Sequence, residues 1–415
     1  LDQFGFFHLT FEEYLAAREM ARQRTEERRE LLRAHWEDPR WHEVILLAAG
    51  QLGIAEMRQD DASEFVENLL KMEPQDPANT GRQVVLAGRA LADIGSRSVT
   101  NPTRRWVLRA LEETMQDRDP DTGAPHDPPR LPVRTRFDAG EALEELGWLP
   151  DDLNRWVRCP GCAEGGGDLM AMRYPVTNAQ YARFLLAGGY ENRDWWSEAG
   201  WQWRMEAHSS YRGEGPVTEP QYWSHSRYGQ ERRGCPVVGV SWYEAEAYCR
   251  WLTDLLRRAR AEEAGLPAED QALAADLLAA GAAEVRLPTE GEWQALAGGT
   301  AVGGRYPWDP PQGPATGKAD AILARANTKE ADLGGPTPVA MYPLGESAPF
   351  GLMDLAGNVW EWTTSEHEGL SGSRVLRGGA WSWDQGVARC AGRYGYDPSR
   401  SSGLFGFRCV SPVLF

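Results

Sequence analysis

Thirteen of the chain's 18 tryptophans lie between Trp195 and Trp383, in a stretch that Gly and Pro interrupt so often that few long elements fit it. Large rings bury much apolar area per residue, so they can hold irregular backbone around a core where side-chain periodicity is broken. That half of the chain is therefore expected to be loop-rich. Short strands are expected at Pro236–Val240, Thr337–Tyr342, Arg374–Arg377 and Gly406–Val410. Three capping boxes announce helices: Thr177 with Gln180 heading 177–187, Ser241 with Glu244 heading 241–261, and Thr289 with Glu292.

Residues 1 to 150 read differently. Apolar positions recur at helical spacing in 41–52, 62–72, 83–94, 101–115 and 134–146, and Thr10 with Glu13 forms a further capping box beside Phe11, Tyr14, Leu15 and Met20. The charged run Arg22 to Arg33 reads as the solvated face of a helix. Asp117 to Pro132 carries five Pro and repeated Asp, a loop or hinge, and a shift of composition over 149–167 ends in Gly165-Gly166-Gly167. The expectation is a helical domain over 1–150 and an α+β domain over 151–415, each large enough to bury a core.

No apolar run reaches the roughly 18 residues a membrane span needs. The longest candidate, 44–55, is broken by Gly50, Gln51 and Gly53. Nothing reads as a secretion signal, and six scattered Cys do not make a disulfide scaffold, which points to the cytoplasm. The chain opens on Leu1, the start expected of a fragment. A net charge of −17 has the wrong sign for a phosphate backbone, so no nucleic-acid partner is expected.

A series of motifs runs in order through the second half: Tyr174-Pro-Val-Thr-Asn-Ala-Gln-Tyr181, Pro236-Val-Val-Gly-Val-Ser-Trp242 leading into Ala247-Tyr-Cys-Arg-Trp251, and Arg286-Leu-Pro-Thr-Glu-Gly-Glu-Trp293. Tyr306-Pro-Trp308, Gly351-Leu-Met-Asp-Leu-Ala-Gly-Asn-Val-Trp-Glu-Trp362, Arg377-Gly-Gly379 and Gly406-Phe-Arg408 follow. Together they resemble the formylglycine-generating-enzyme, or sulfatase-modifying-factor, family, and the resemblance implies a C-type-lectin-like fold. Phe7-His-Leu-Thr-Phe-Glu-Glu-Tyr-Leu-Ala-Ala17 and Trp41-His-Glu-Val-Ile-Leu-Leu-Ala-Ala49 are similar to the helical end of NACHT-type signalling ATPases. That implies an ATPase domain upstream of Leu1 as a partner. No Gly-x4-Gly-Lys-Ser/Thr phosphate loop occurs here, so no nucleotide is expected on these residues.

The family's oxidase chemistry implies two cysteines near the C-terminus, five positions apart. Arg389-Cys390 matches the second, but Gln385 stands five residues earlier and Gly378 to Arg389 holds no Cys. A lone thiol cannot pair with a second thiolate around copper(I) or exchange disulfides within the site, so no copper is expected and the chain is expected not to be an enzyme. Cys249 and Cys409 match family positions implied to lie together. Cys159-Pro-Gly-Cys162 has metal-like spacing without a second ligand pair. Asp354-Leu-Ala-Gly-Asn-Val-Trp-Glu361 resembles the family's calcium loop, implying the carboxylates of Asp354 and Glu361 and the carbonyls of Gly357 and Val359 as ligands. A second implied site, led by Asn327 and the carbonyl of Thr328, has only Asp332 nearby to add a carboxylate.

Among the framework words of the tail stand Ser382, Trp383, Asp384, Gly392, Tyr394, Gly395, Tyr396, Asp397, Ser399, Arg400, Ser401, Ser402, Gly403, Leu404 and Phe405, and no Asn occurs from Arg374 onward. The pattern resembles the variable proteins of diversity-generating retroelements, whose adenine-directed mutagenesis rewrites Asn codons. Changing the first two bases of AAC or AAT can give every residue type in that series except Trp383. Tyr and Trp supply broad contact with few rotatable bonds, while Ser, Gly and Asp supply adaptable hydrogen bonds. The expectation is a non-catalytic recognition surface for a protein or other macromolecular ligand. Its rivals are a divergent oxidase acting on protein cysteines and a scaffolding module of a signalling ATPase.

Overall fold

Helical periodicity in the first unit resolves into α1 (Leu9–Arg22), α2 (Thr25–His35), α3 (Pro39–Gly50), α4 (Gln59–Leu70), α5 (Arg82–Ile94), α6 (Asn101–Gln116) and α7 (Val133–Glu145). The computed structural model describes residues 9–206, 215–261, 266–298, 305–310, 316 and 319–413. Two units separate by their contacts, Leu1–Trp148 and Leu149–Phe415.

In the first unit, caps set the helix starts: the Asp38 carboxylate accepts from the Arg40 amide ahead of α3, and the Thr100 hydroxyl from the Thr103 amide ahead of α6. At the centre of α5, a Cβ on Gly88 would lie 2.8 Å from Leu111 of α6 and 3.2 Å from Ala142 of α7. The helices approach that closely because the position is bare. Two expectations are corrected here. Thr10 lies inside α1 and caps nothing, because the helix already runs from Leu9. The charged run is not wholly solvated either: Arg28 is 3% exposed, with its guanidinium 2.6 Å from Asp61 and donating to the carbonyls of Ala21 and Gln23. The Pro-rich loop is pinned by Asp117, whose carboxylate accepts from the amides of Arg130 and Leu131 and meets the His126 ring. Phe7 and His8 of the N-terminal motif lie outside the described residues.

The second unit begins with β1 (Trp156–Cys159) and β2 (Leu169–Met172) and continues through α8 (Asn178–Leu186), α9 (Glu198–Met205), α10 (Trp242–Arg260), α11 (Ala268–Ala279), α12 (Glu290–Leu296) and α13 (Ala319–Leu323). It ends with β3 (Trp360–Glu366), β4 (Arg374–Arg377), β5 (Arg393–Tyr396), β6 (Phe405–Gly406) and β7 (Val410–Pro412). One antiparallel sheet has the order β1-β2-β7; the other has the order β5-β4-β3-β6, with β6 parallel to β3. The overall class is α+β. All three expected capping boxes in this unit form, at α8, α10 and α12. The core gathers Tyr181 and Phe184 of α8, Tyr248 and Trp251 of α10, and Phe407, with Tyr248 stacked on Tyr181 at 5.5 Å.

Pro236–Val240 and Thr337–Tyr342 are buried but are not strands. Each is held by isolated bonds, Val237 to Val176, Gly239 to Ser402 and Val339 to Gly234, because no continuous partner runs alongside. The expected strand at Gly406–Val410 splits between β6 and β7. No described helix is long and apolar enough to cross a membrane.

Candidate functional site

The tail residues are brought together by the sheet. β5 pairs with β4 in the register Leu376 to Tyr394 and Arg374 to Tyr396, so Tyr394 and Tyr396 share one face. Their rings lie 5.9 Å apart, and Trp383 reaches Tyr394 at 5.4 Å. Below them the fully buried Trp360 meets both Trp383 and Tyr394 at under 6 Å. The result is a half-exposed aromatic strip on a rigid floor. Tyr396, Asp384, Asp397 and Arg400 are exposed, while Trp383, Ser382, Ser399, Ser401, Ser402, Gly403 and Leu404 are partly buried.

Framework groups hold the 398–404 backbone. Its carbonyls accept from the Trp242 amide at Pro398, Trp203 Nε1 at Ser399, the Gly239 amide at Ser402, Trp381 Nε1 at Gly403 and the Trp360 amide at Leu404. The main chain is thus held largely by residues outside the segment, and the Asp397 carboxylate adds a bond by accepting from the Ser399 amide at 2.8 Å.

Of the predicted surface residues, Phe405 and Gly395 are buried and Gly392 has no room for a side chain. Phe405 is 4% exposed, packed edge-on against Trp362 at 5.4 Å. A Cβ on Gly392 would fall 1.9 Å from the Val387 carbonyl oxygen, so the chain folds back too tightly there for any side chain. Gly395 is buried beneath His367. Conversely, Trp381 is only partly buried: it packs on Tyr228 at 6.1 Å, and Tyr228 stacks on exposed His225 at 4.3 Å. Tyr228 and His225 border the tail surface, yet their loop carries no periodic signal, and only the fold brings it there.

Cys390 is buried, its Sγ donates to the Ala297 carbonyl at 3.1 Å, and burial pushes its thiol up to about 12. It stays protonated at neutral pH. Burial likewise raises Cys159 to about 12 and Cys162 to about 11. Cys249 and Cys409 are free thiols with their sulfurs 3.6 Å apart.

The implied calcium residues divide. Glu361 is fully buried and committed: its carboxylate accepts from Arg408 at 2.8 Å and from Trp293 Nε1 at 2.7 Å. Both of its oxygens are engaged by these two donors. Asp354 sits in a left-handed conformation in the same turn, with one oxygen accepting from Asn358 Nδ2 and the other buried without a partner. Burial lifts its carboxyl to about 7, against the pull of Arg408. Asn327 Oδ1 and Thr337 Oγ1 are also buried without partners, and Asn358 bonds to both residues. Gly357 is obligatory in this turn, since its Cβ would meet the Asn327 carbonyl oxygen at 2.3 Å. Val359 is fully buried there, and the Thr328 carbonyl is taken by the Ala331 amide. Among the described residues, no group of three or more His, Cys, Asp or Glu converges to hold a metal.

Comparison with known proteins adds relatives of several kinds. The hercynine oxygenase of Mycolicibacterium thermoresistibile is 34% identical over 276 residues, covering 58% of this chain and 50% of that protein. The inactive C-alpha-formylglycine-generating enzyme 2 of Bos taurus is 33% identical over 189 residues, covering 44% of this chain and 52% of that protein. The chain thus spans about half the length of these curated relatives. Among solved structures, the Treponema denticola variable protein 1 aligns over 59% of this chain and 84% of its own, at 20% identity and a TM-score of 0.33.

The oxygenases correct the expectation that the chain is not an enzyme. The missing partner of Cys390 removes paired-thiol chemistry alone, whereas relatives named as oxygenases show that catalysts share this domain. A protein-family model described as the sulfatase-modifying factor enzyme 1-like domain matches residues 167–413, more than half of the chain. The chain belongs to that family.

Proposed function

We propose that the C-terminal domain, C-type-lectin-like in architecture, is a ligand-recognition module whose site is the aromatic strip of Trp383, Tyr394 and Tyr396, flanked by Asp384, Asp397 and Arg400. In this reading it is a variable protein of a diversity-generating retroelement. The observation that carries it is the division of labour in the tail: the indole N–H groups of Trp203 and Trp381 and the amide of Trp242 hold the backbone, while no hydrogen bond from the Tyr396 or Arg400 side chain to another described residue adds to that framework. Such a surface can change its residues without changing its fold, and its composition suits binding. A displayed library randomised at Tyr394, Tyr396, Asp397 and Arg400 tests this. Most clones should melt within a few degrees of the parent, and selection on immobilised proteins should return binders that differ in sequence from one target to the next. General unfolding of the library would contradict it.

The same domain is read as binding calcium through Asp354, supported by the buried oxygens of Asp354, Asn327 and Thr337 that have no partner. Hard oxygen donors suit that ion. A chelator should then lower the melting temperature, because a ligand bound only to the native state stabilises it. Asp354→Asn should remove the response; a melting curve indifferent to chelator in the parent chain would end the calcium reading.

A further inference from the structure

β5 is an outer strand of its sheet, paired on one side with β4 and on the other with no strand among the described residues. Antiparallel pairing uses the inward N–H and C=O groups of alternate residues, so half of the β5 backbone groups point away from β4. Beyond the β4 ladder, no main-chain bond between described residues reaches Arg393, Tyr394, Gly395 or Tyr396. Edges of this kind are usually closed by a Pro, a bulge, a charged side chain or the shortness of the strand. β5, Arg-Tyr-Gly-Tyr, is four residues long and its one charge, Arg393, is paired with Glu290 at 2.8 Å; it has no Pro, and the sheet's irregularity lies between β3 and β4, at Trp362 to Glu366. The open edge runs alongside the aromatic strip, since Tyr394 and Tyr396 stand on one face of β5 while His367 covers the other at Gly395.

We propose that the ligand of this surface is an extended polypeptide segment that adds to the outer edge of β5 as a further strand, its alternate side chains lying across Tyr394 and Tyr396. The proposal rests on the reading of the strip as a ligand site and names the chemistry of what it takes. A sugar or a planar small molecule would use the rings alone. Only an extended peptide backbone presents donors and acceptors at the spacing of the unpaired β5 groups while setting every second side chain against the rings.

Linear random peptides of about a dozen residues, selected by display on the full chain, provide the probe; binders are resynthesised with a single N-methyl group at successive positions. Methylation should cost roughly tenfold in affinity at alternate residues and little between them, because each lost N–H leaves a carbonyl of the edge unpaired. Binding should also slow hydrogen exchange of the amides of residues 393–396, and a folded Tyr394→Ser/Tyr396→Ser chain should not bind. Peptides that need both tyrosines but show no two-residue period would overturn strand addition and leave the strip as a ligand site. Peptides indifferent to the tyrosines would count against both readings. Failure to select any peptide, with binding to an arrayed glycan that depends on Tyr396, would overturn the polypeptide and keep the strip.

Discussion

Arg408 ties the second unit together at the level of single side chains. Its guanidinium, wholly buried, donates to the carbonyls of Met172, Arg173 and Met353 and to both oxygens of Glu361. Glu361 in turn holds Trp293 Nε1. Removing one partner of such a pair leaves an uncompensated buried charge, so Arg408→Met should cost about 3–5 kcal/mol. Replacing Glu361 by Leu in the same chain should recover part of that loss, since two apolar groups need no partner. Denaturant unfolding of the two variants would show it, and a double variant no better than the single would refute the pairing argument. Little of this was legible beforehand. Gly406-Phe-Arg408 and the Glu361 motif are visible words, but a sequence does not show that two distant words meet. Phe405 and Gly392 failed for a related reason. Their residue types suit a display surface, whereas a ring from β3 draws Phe405 inward and a carbonyl from a neighbouring turn leaves Gly392 no room for a side chain.

At the scale of elements, helix starts were readable because capping is local. Thr177 with Gln180, Ser241 with Glu244 and Thr289 with Glu292 each close a box within four residues. The last carries a pH dependence. Burial by itself would raise the Glu292 carboxyl, but hydrogen bonds from Arg286 and from the amide of Thr289 outweigh it and hold the group below its usual value of 4.5. A carboxylate depressed in the folded state contributes stability above that unfolded value and loses it as pH falls through the lower, folded one. Glu292→Gln should therefore flatten the decline in stability below pH 4.5 while lowering stability at neutral pH, as measured by melting across the acid range. An acid limb as steep as the parent's would show that the α12 box has no such role. Strands were less legible than helices. β1, β2, β3 and β5 were not anticipated, because fully buried or very short strands lack the alternation that marks a half-exposed one. α9, α11 and α13 were missed because Trp, Pro and Gly nearby obscure helical spacing.

For the whole molecule, the periodicity change near residue 150 and the run of shared motifs conveyed the class and the family, since both depend on patterns spread over many residues. What the tail does depends on which of its side chains face solvent, and that required the sheet. The central claim is that the surface around Tyr394 and Tyr396 is built to vary while its support stays fixed. Sequencing this gene from many isolates tests it most directly. Substitutions should concentrate at Tyr394, Tyr396, Asp397, Arg400, Ser401 and Ser402, with Trp381, Gly392, Phe405 and Arg408 unchanged. Substitutions spread evenly along the domain, or falling on the buried residues as often as on the exposed ones, would contradict a diversified recognition surface.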